Sequence, residues 1–538
     1  MAFPVWGSDI RETVTEVLSR AAQKYPEQVF LDFQGEKYTF RQVDEGAAQL
    51  AHGLAARGVQ FGNTVGSLLD SNIDAVLVWF ATNKLGAIHV PVNTAYKGEY
   101  LRHQLADAGC AVVISEGDYA QRILDVADGL PAARTLLIRE PPSLPDSPRL
   151  EIESLTNAYA ETADPLPDPN SPSHISMLIF TGGTTGPSKG CMISHNYACN
   201  LARQILKREN RAAGDINWTP LPLFHMNATA GSILSCLMVG ATVAIFPRFS
   251  VSKFWYDVER SGATVANLLG AMLNFIADAP DNEASLRCFG KLKAVRGAPF
   301  PPDLQEKWKK RFGVKYAGSN GYGLTEAARV TSLPDGVHAP PSSSGKVNED
   351  FDVRIVDEND NELPAGQAGE IIVRPRHPDI MFSGYWNRPE DTLKILKNLW
   401  LHTGDIGRFD EDGFFYFVDR KKDYLRRRGE NISSYELEMT INQHPDIDQV
   451  AVHAVLTDSE DEVKATAVRV AESKITEETL CRWCIDNLPY FAVPRFIEFR
   501  DALPRNPFGR VLKYQLRDEG CTLKTWDRET SEVTHEKR

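Results

Sequence analysis

The chain has 538 residues, enough for several domains sharing a large core. Its 42% hydrophobic and 24% charged residues lie in the ordinary globular range, which excludes a disordered, collagen-like or fibrous protein. Acidic residues outnumber basic ones by 72 to 59, a formal net charge of -13, so non-specific attraction to nucleic acid or anionic lipid is excluded and an anionic ligand must be met by local positive groups.

The opening MAFPVWGSDIRETVTEVLSR has no basic segment leading into an apolar one, so no secretory signal is expected. No apolar run reaches the length of about 18 residues that would suggest a membrane span. VFLDF is a short apolar run before a helical stretch from Thr39 to Arg57. VGSLLD reads as a strand, AVLVWFATNKLG as a helix, and AIHVPVN and AVVIS as further strands. Strands alternating with helices of this length predict a layered α/β body with largely parallel, buried sheets. A Pro-rich passage from Pro141 to Pro172 reads as a surface connection into the buried strand ISMLIFT. TVAIFP, TVANLLG, KAVRG and VKYAGSNGYG continue the strand pattern. From Asp352 the short strands DVRIVDEND, GEIIVRP and GFFYFVDR predict a β-rich piece, and a compact α+β stretch follows Arg420. Its helices are SYELEMTINQH and TLCRWCIDNL, and its strands QVAVHAV and KATAVRVA. No internal repeat is evident, and the polar stretch from Thr525 to Arg538 is expected to fray.

The eight cysteines are sparse and scattered, which suits reduced thiols and a cytoplasmic location. Cys481 and Cys484 form a lone CxxC. With no second pair and no neighbouring histidines, two positions three apart on a helix explain it better than a metal or redox site.

Two segments carry chemistry. Residues 180–190, FTGGTTGPSKG, follow a strand and hold four glycines and three threonines. Glycine lets backbone N–H groups approach an anion closely, and hydroxyls add donors. The spacing is not that of a Walker A loop. A grip on a triphosphate is expected from Thr181, Gly182, Gly183, Thr184, Thr185, Gly186 and Lys189. The second segment, GYGLTE, spans Gly321, Tyr322, Gly323, Thr325 and Glu326 and lacks the Rossmann glycine spacing. A hydroxyl followed by a carboxylate after a glycine turn suits phosphate contact and Mg²⁺ at Glu326.

Together these segments resemble the phosphate loop and the YGxTE motif of the adenylate-forming superfamily, which includes acyl- and aryl-CoA ligases, peptide-synthetase adenylation domains and firefly luciferase. Further landmarks follow from about Thr13 to Arg517. Gly297, Ala298 and Pro299 resemble the adenine-side segment. WLHTGD ends in Asp405, the expected ribose ligand. DRKKD carries Arg420 beside the nucleotide and Lys422 at the hinge. RGEN carries Gly429, and PLFH ends in His225 beside the acyl carboxylate. The sequence is most similar in character to crotonobetaine/carnitine-type acyl-CoA ligases. The resemblance implies a large domain of layered α/β subdomains plus a β-rich subdomain over 1–419, a hinge at 420–422, and a mobile α+β domain over 423–538.

It also implies a two-step reaction. A carboxylic acid and ATP give acyl-AMP and pyrophosphate; the small domain then rotates, and CoA converts the acyl-AMP to acyl-CoA and AMP. Arg426, Arg427 and Arg428 are candidates for holding CoA phosphates, with a solvated basic turn as the alternative. The small residues Ala228, Ala230, Gly231, Gly270 and Ala271 suggest either room for a bulky acid or simple packing.

Two positions depart from the family pattern. Gly182 stands where many relatives carry serine. Arg510 stands where the family has the lysine that contacts the substrate carboxylate and the nucleotide during adenylation, and Lys513 is not expected to replace it. Because lysine and arginine present their charge differently, the sequence predicts an enzyme biased toward thioester formation, with the acyl-AMP supplied by a separate adenylating enzyme. The alternatives are a complete ATP-dependent ligase, a protein that loads a carrier-protein phosphopantetheine, and a retired nucleotide-binding protein. The sequence does not fix the oligomeric state; a homodimer is one candidate.

Overall fold

The computed structural model describes residues 10–533 apart from 142, 182–186, 299, 319–320, 335–336, 338, 342, 421–423, 428–429, 458–460, 505–510 and 512; at Arg420 and Arg426 it describes the backbone alone.

Two seven-stranded sheets form the large α/β part. The first runs in the order Tyr316–Gly318, Ala294–Arg296, Val265–Asn267, Ile216–Thr219, Thr242–Ile245, Val29–Phe33, Glu36–Thr39. The second runs Glu151–Ser154, Thr135–Arg139, Val112–Glu116, Thr64–Leu68, Ile88–Pro91, Ile175–Thr181, Lys189–Ser194. In each sheet the ladders are parallel except at the last pair, an antiparallel edge. The shared layout is a structural repeat with no counterpart in the sequence, because a common topology needs only matching apolar runs, not matching residues.

Local signals place the helices. Thr39 caps the helix Phe40–Ala56 in a capping box with Gln42, and Asn72 caps Ile73–Lys84 by accepting from the Ala75 N–H. The second of these helices is buried along most of its length, with Trp79 and Phe80 at the centre of the main core. Burying side chains of this size stabilises by about 1.5–3 kcal/mol each relative to exposure.

The β-rich piece is a five-stranded antiparallel sheet of Phe351–Val356, Gly369–Pro375, Leu396–Lys397, Trp400–Phe409 and Phe415–Arg420. The small α+β part begins with the hairpin Tyr424–Arg427/Glu430–Ser433 and continues through the helix Ser434–Ile441 into a four-stranded sheet. Its core extends onto the large part, where Tyr100 is buried among its residues and Tyr96 lies 6.4 Å from Phe491.

Two expectations need correction. Within the Pro-rich passage, Glu151–Ser154 forms an edge strand, and Leu150, Leu155 and Ala158 are buried; the apolar residues between the proline clusters find a sheet edge. The tail is ordered to Val533: Trp526–Asp527 pairs with Phe496–Phe499, and Asp527 receives Arg495 at 3.0 Å. Cys481 and Cys484 lie with Leu480 on the buried face of the helix Glu477–Asn487.

Candidate active site

One part of the cleft is built from the edge of the second sheet. Thr181 ends one strand and pairs with Lys189 at the start of the next, so this pair closes the base of the glycine-rich segment. Gly182, Gly183, Thr184, Thr185 and Gly186 lie outside the described residues. Lys189 Nζ stands 3.4 Å from Asp391 and 5.1 Å from the Tyr385 ring centroid, which fixes its reach over the cleft.

Thr325 and Glu326 face it, and their turn is held from three sides. The Tyr197 hydroxyl donates to the Thr325 carbonyl at 2.7 Å, the Phe382 N–H to the Glu326 carbonyl at 3.0 Å, and the Tyr385 hydroxyl to Glu326 Oε1 at 2.7 Å. Burial and the Glu326 charge raise the Tyr385 pKa, so its hydroxyl stays a donor. The turn itself demands glycine. A Cβ at Gly323 would fall 2.0 Å from the Ala328 carbonyl oxygen, and Ala328 adopts a φ of 56°, a left-handed conformation that is strained for a residue with a side chain.

The Tyr322 hydroxyl donates to Asp405 Oδ2 at 2.7 Å. Asp405 lies opposite Arg420 in the antiparallel ladder, so two motifs fifteen residues apart meet by register. Gly297 packs its backbone against the strand-to-helix turn before Gly270; a Cβ there would sit 2.7 Å from the Leu268 carbonyl oxygen. Ala298 lines the same wall, and Pro299 lies outside the described residues.

Thr181, Lys189, His225, Gly297, Ala298, Gly321, Tyr322, Gly323, Thr325, Glu326 and Asp405 all line one cleft of about 970 Å³. His225 lines the same cleft. The hairpin of the small part comes up against it, with Glu430 Oε2 at 3.4 Å from His225 Nε2 and also 3.4 Å from Asn93 Nδ2. From the same part, Glu436 accepts the Ser188 backbone N–H beside the phosphate segment, and burial pushes its carboxyl up to about 7.

The predicted CoA ligands divide. Arg427 is fully buried, with Nε 2.7 Å from Glu462 and Nη1 donating to the carbonyls of Phe491 and Val493. That corrects its expected role: the guanidinium is engaged inside the small part, because alternate residues of a strand point to opposite faces. The backbone of Arg426 lies on the same hairpin, whereas Arg428, Gly429, Lys422 and Arg510 lie outside the described residues. Lys513 is held at 2.6 Å from Glu438 and 2.9 Å from Ser434 Oγ, within the small part.

Several cleft residues carried no motif. Arg388, Lys394 and Lys397 line the cleft; Arg388 precedes the short helix Pro389–Ile395 and Lys394 lies on it. Arg296 and Arg329 line the cleft next to Glu209. Their proximity to the 297–299 and 321–326 segments is the one signal that would have found them, and Glu209 had none. Ala228 and Ala230 are core residues, while Gly231 faces the cleft.

The AMP-binding enzyme family matches residues 18–386, and the AMP-binding enzyme C-terminal domain matches residues 436–510. The chain belongs to this adenylate-forming family. It is 30% identical to a long-chain-fatty-acid–CoA ligase of Escherichia coli O6:H1 (strain CFT073) over 95% of both chains. It is also 30% identical to a crotonobetaine/carnitine–CoA ligase of Citrobacter koseri over 89% of this chain and 93% of that protein. Among solved structures, an amide bond synthetase from Marinactinospora thermotolerans superposes with a TM-score of 0.80 at 26% identity, covering 94% of this chain and 99% of the other. Among the described residues, no helix is long and apolar enough to cross a membrane.

Proposed function

We propose that this protein is an acyl-CoA ligase that joins a carboxylic acid to CoA through an acyl-AMP, and that it favours the second half-reaction. The observation that supports this best is the single cleft shared by Lys189, Thr325, Glu326, Tyr322, Asp405 and His225, with Glu430 of the small part at its acid end.

A carboxylate is a poor acyl donor because its leaving group would be oxide. Attack of the carboxylate oxygen on the α-phosphate of ATP expels pyrophosphate and leaves an anhydride whose leaving group is AMP. In this reading Lys189, Thr181 and the glycine-rich backbone cradle the phosphates. Asp405 and Arg420 hold the ribose side and Tyr322 the adenine side. Thr325 and Glu326 present hard oxygen donors at the phosphate end, a set that fits Mg²⁺, which takes one or two carboxylates with phosphate oxygens and when bound neutralises their charge. His225 lies beside the reacting acyl group. The CoA thiol then attacks the acyl carbonyl and AMP departs. Domain boundaries at 1–419, 420–422 and 423–538 give the small part a hinge at Lys422 about which to exchange the face it presents.

The proposed thioester bias rests on the sequence alone, on Arg510 in place of the family lysine. Two arms test the whole reading: carboxylic acids with ATP, Mg²⁺ and CoA, and the matching preformed acyl-adenylates with CoA. Thioester from both arms means a complete ligase. Thioester from the adenylate arm alone means that a separate adenylating enzyme supplies the acyl-AMP. No thioester from either arm overturns the reading.

Gly429→Leu is expected to block thioester formation and leave bound acyl-AMP unconsumed, since position 429 borders the path proposed for the pantetheine arm. Normal acyl-CoA output from this variant contradicts that path.

Glu436 gives a pH prediction. Its carboxyl, ordinarily near 4.5, is raised to about 7 where the small part docks. The docked pose therefore binds the proton more tightly than the undocked one. The resulting stabilisation is fully present below about 4.5, declines as pH rises toward 7, and is constant above that. Glu436→Gln is expected to flatten the pH dependence of thioester formation from a preformed adenylate between about 5 and 7. An unchanged slope refutes the assignment.

A further inference from the structure

We propose that Asn93 and Lys97 are positioning residues: the segment they bracket is the seat on which the small part settles, and Asn93 orients Glu430 toward His225. The seat stands on contacts alone; its bearing on the reaction rests on the ligase reading, which puts His225 beside the reacting acyl group.

The segment follows the strand Ile88–Pro91 and ends where the helix Gly98–Ala108 begins. Asn93 folds it into a tight turn: its Oδ1 accepts the Ala95 N–H at 2.9 Å, and its backbone carbonyl accepts the Tyr96 N–H at 2.9 Å. With the amide oxygen engaged in the turn, the group left to face the small part is the amide nitrogen, which can only donate. It donates to Glu430 Oε2 at 3.4 Å, and that same oxygen stands 3.4 Å from His225 Nε2. Arg122 Nη1 donates to the Thr94 carbonyl at 2.8 Å and ties the turn to the large part. Every bond that shapes the turn is therefore internal to the large part, so the Asn93 donor is already aimed when the small part arrives.

Lys97 makes the second polar contact. Its Nζ donates to the Ile485 carbonyl at 2.6 Å, in the last turn of the helix Glu477–Asn487. Carbonyls in that turn have no partner within the helix, and the negative end of the helix dipole favours a cation there. Between the two contacts, Ala95 and Tyr96 pack against the core of the small part, and Tyr100 is buried within it. Apolar burial holds the two parts together but is non-directional. The polar contacts, one to the hairpin and one to the helix end, fix the rotation of the small part and so decide where Glu430 falls.

Asn93→Asp keeps the turn, since a carboxylate oxygen also accepts the Ala95 N–H, but it replaces the donor at Glu430 with a like charge. Thioester formation from a preformed acyl-adenylate is expected to fall about tenfold, with acid-dependent pyrophosphate release lowered by under about threefold. Asn93→Asp combined with Glu430→Gln is expected to be no slower than Glu430→Gln alone, a result that general damage to the fold does not give. Lys97→Met keeps the aliphatic stem and loses the donor; it is expected to slow the same step about fivefold, and Lys97→Arg to restore most of the loss. Hydrogen exchange read by mass spectrometry follows the seat without turnover. In Lys97→Met, amides in 93–100 and 485–493 are expected to lose protection while those of the strand Ile447–Leu456 keep theirs. Unchanged thioester formation in Asn93→Asp, equal losses in both half-reactions, additive losses in the Asn93–Glu430 pair, or unchanged protection in Lys97→Met each overturn the proposal. If the unsubstituted protein gives no thioester from any acid or adenylate, the ligase reading fails and exchange decides this one: lost protection at both faces upholds the seat, and unchanged protection overturns it.

Discussion

Arg510→Lys is expected to raise acid-dependent pyrophosphate release from ATP by on the order of 10²-fold, because a misplacement of about 1 Å among reacting groups costs that much. Lysine presents a compact ammonium on a slender stem, whereas arginine presents a wider planar fork with its charge spread over three nitrogens. In a site closed around a carboxylate and an α-phosphate, the fork either displaces the substrate oxygens or stands off from them. Thioester formation from a preformed acyl-adenylate is expected to change by less than about twofold, since in the reading above this segment faces the substrate only during adenylation. Pyrophosphate exchange and single-turnover thioester assays on the same preparations separate the two effects. If the lysine variant gains no adenylation, one residue does not explain the bias.

Glu430→Gln is expected to have the opposite signature. The carboxylate lies 3.4 Å from His225 Nε2, brought there by the hairpin of the small part. It can fix the orientation of the imidazole ring, which the proposed function puts beside the reacting acyl group, and the amide of glutamine cannot do so as a charged acceptor. Loss of a positioned proton-transfer partner costs about 10²-fold or more. Thioester formation from acyl-adenylate is expected to fall by about that factor, with pyrophosphate release lowered by under about threefold. His225→Ala combined with Glu430→Gln should be no slower than His225→Ala alone, because two groups acting as a unit are non-additive. Fully additive losses would show that the two residues act independently, and the pairing would then carry no function.

Much of the site was legible because its chemistry lies in short local segments. The composition of FTGGTTGPSKG and GYGLTE leads to the expectation of phosphate contact, and the structure brings Thr181, Lys189, Thr325 and Glu326 to one cleft. At Gly323 a Cβ would meet the Ala328 carbonyl oxygen at 2.0 Å, so the turn leaves no room for a side chain there. The strand and helix pattern was legible for the same reason: periodic apolar runs such as ISMLIFT and AVLVWFATNKLG report burial directly.

Arg427 marks the limit of that reading. In sequence it is the middle of three arginines, and nothing local distinguishes it from its neighbours. Only the hairpin's alternation sends it inward to Glu462, 35 positions away, and to the carbonyls of Phe491 and Val493. The tail from Thr525 was misread in the same way, since its polar composition says nothing of the edge at Phe496–Phe499 that it completes.

By itself the sequence determined the α/β class, the order of the strands and helices along the chain, and the motifs of an adenylate-forming enzyme, because these depend on neighbours a few residues apart. The tertiary structure alone decided which charges face the cleft: Arg427 turned inward, Glu430 carried to His225, and Arg296 and Arg329 brought beside Glu209. Those outcomes depend on contacts between residues tens to hundreds of positions apart, and a charged side chain looks the same in sequence whether its partner is water, a buried carboxylate or a substrate.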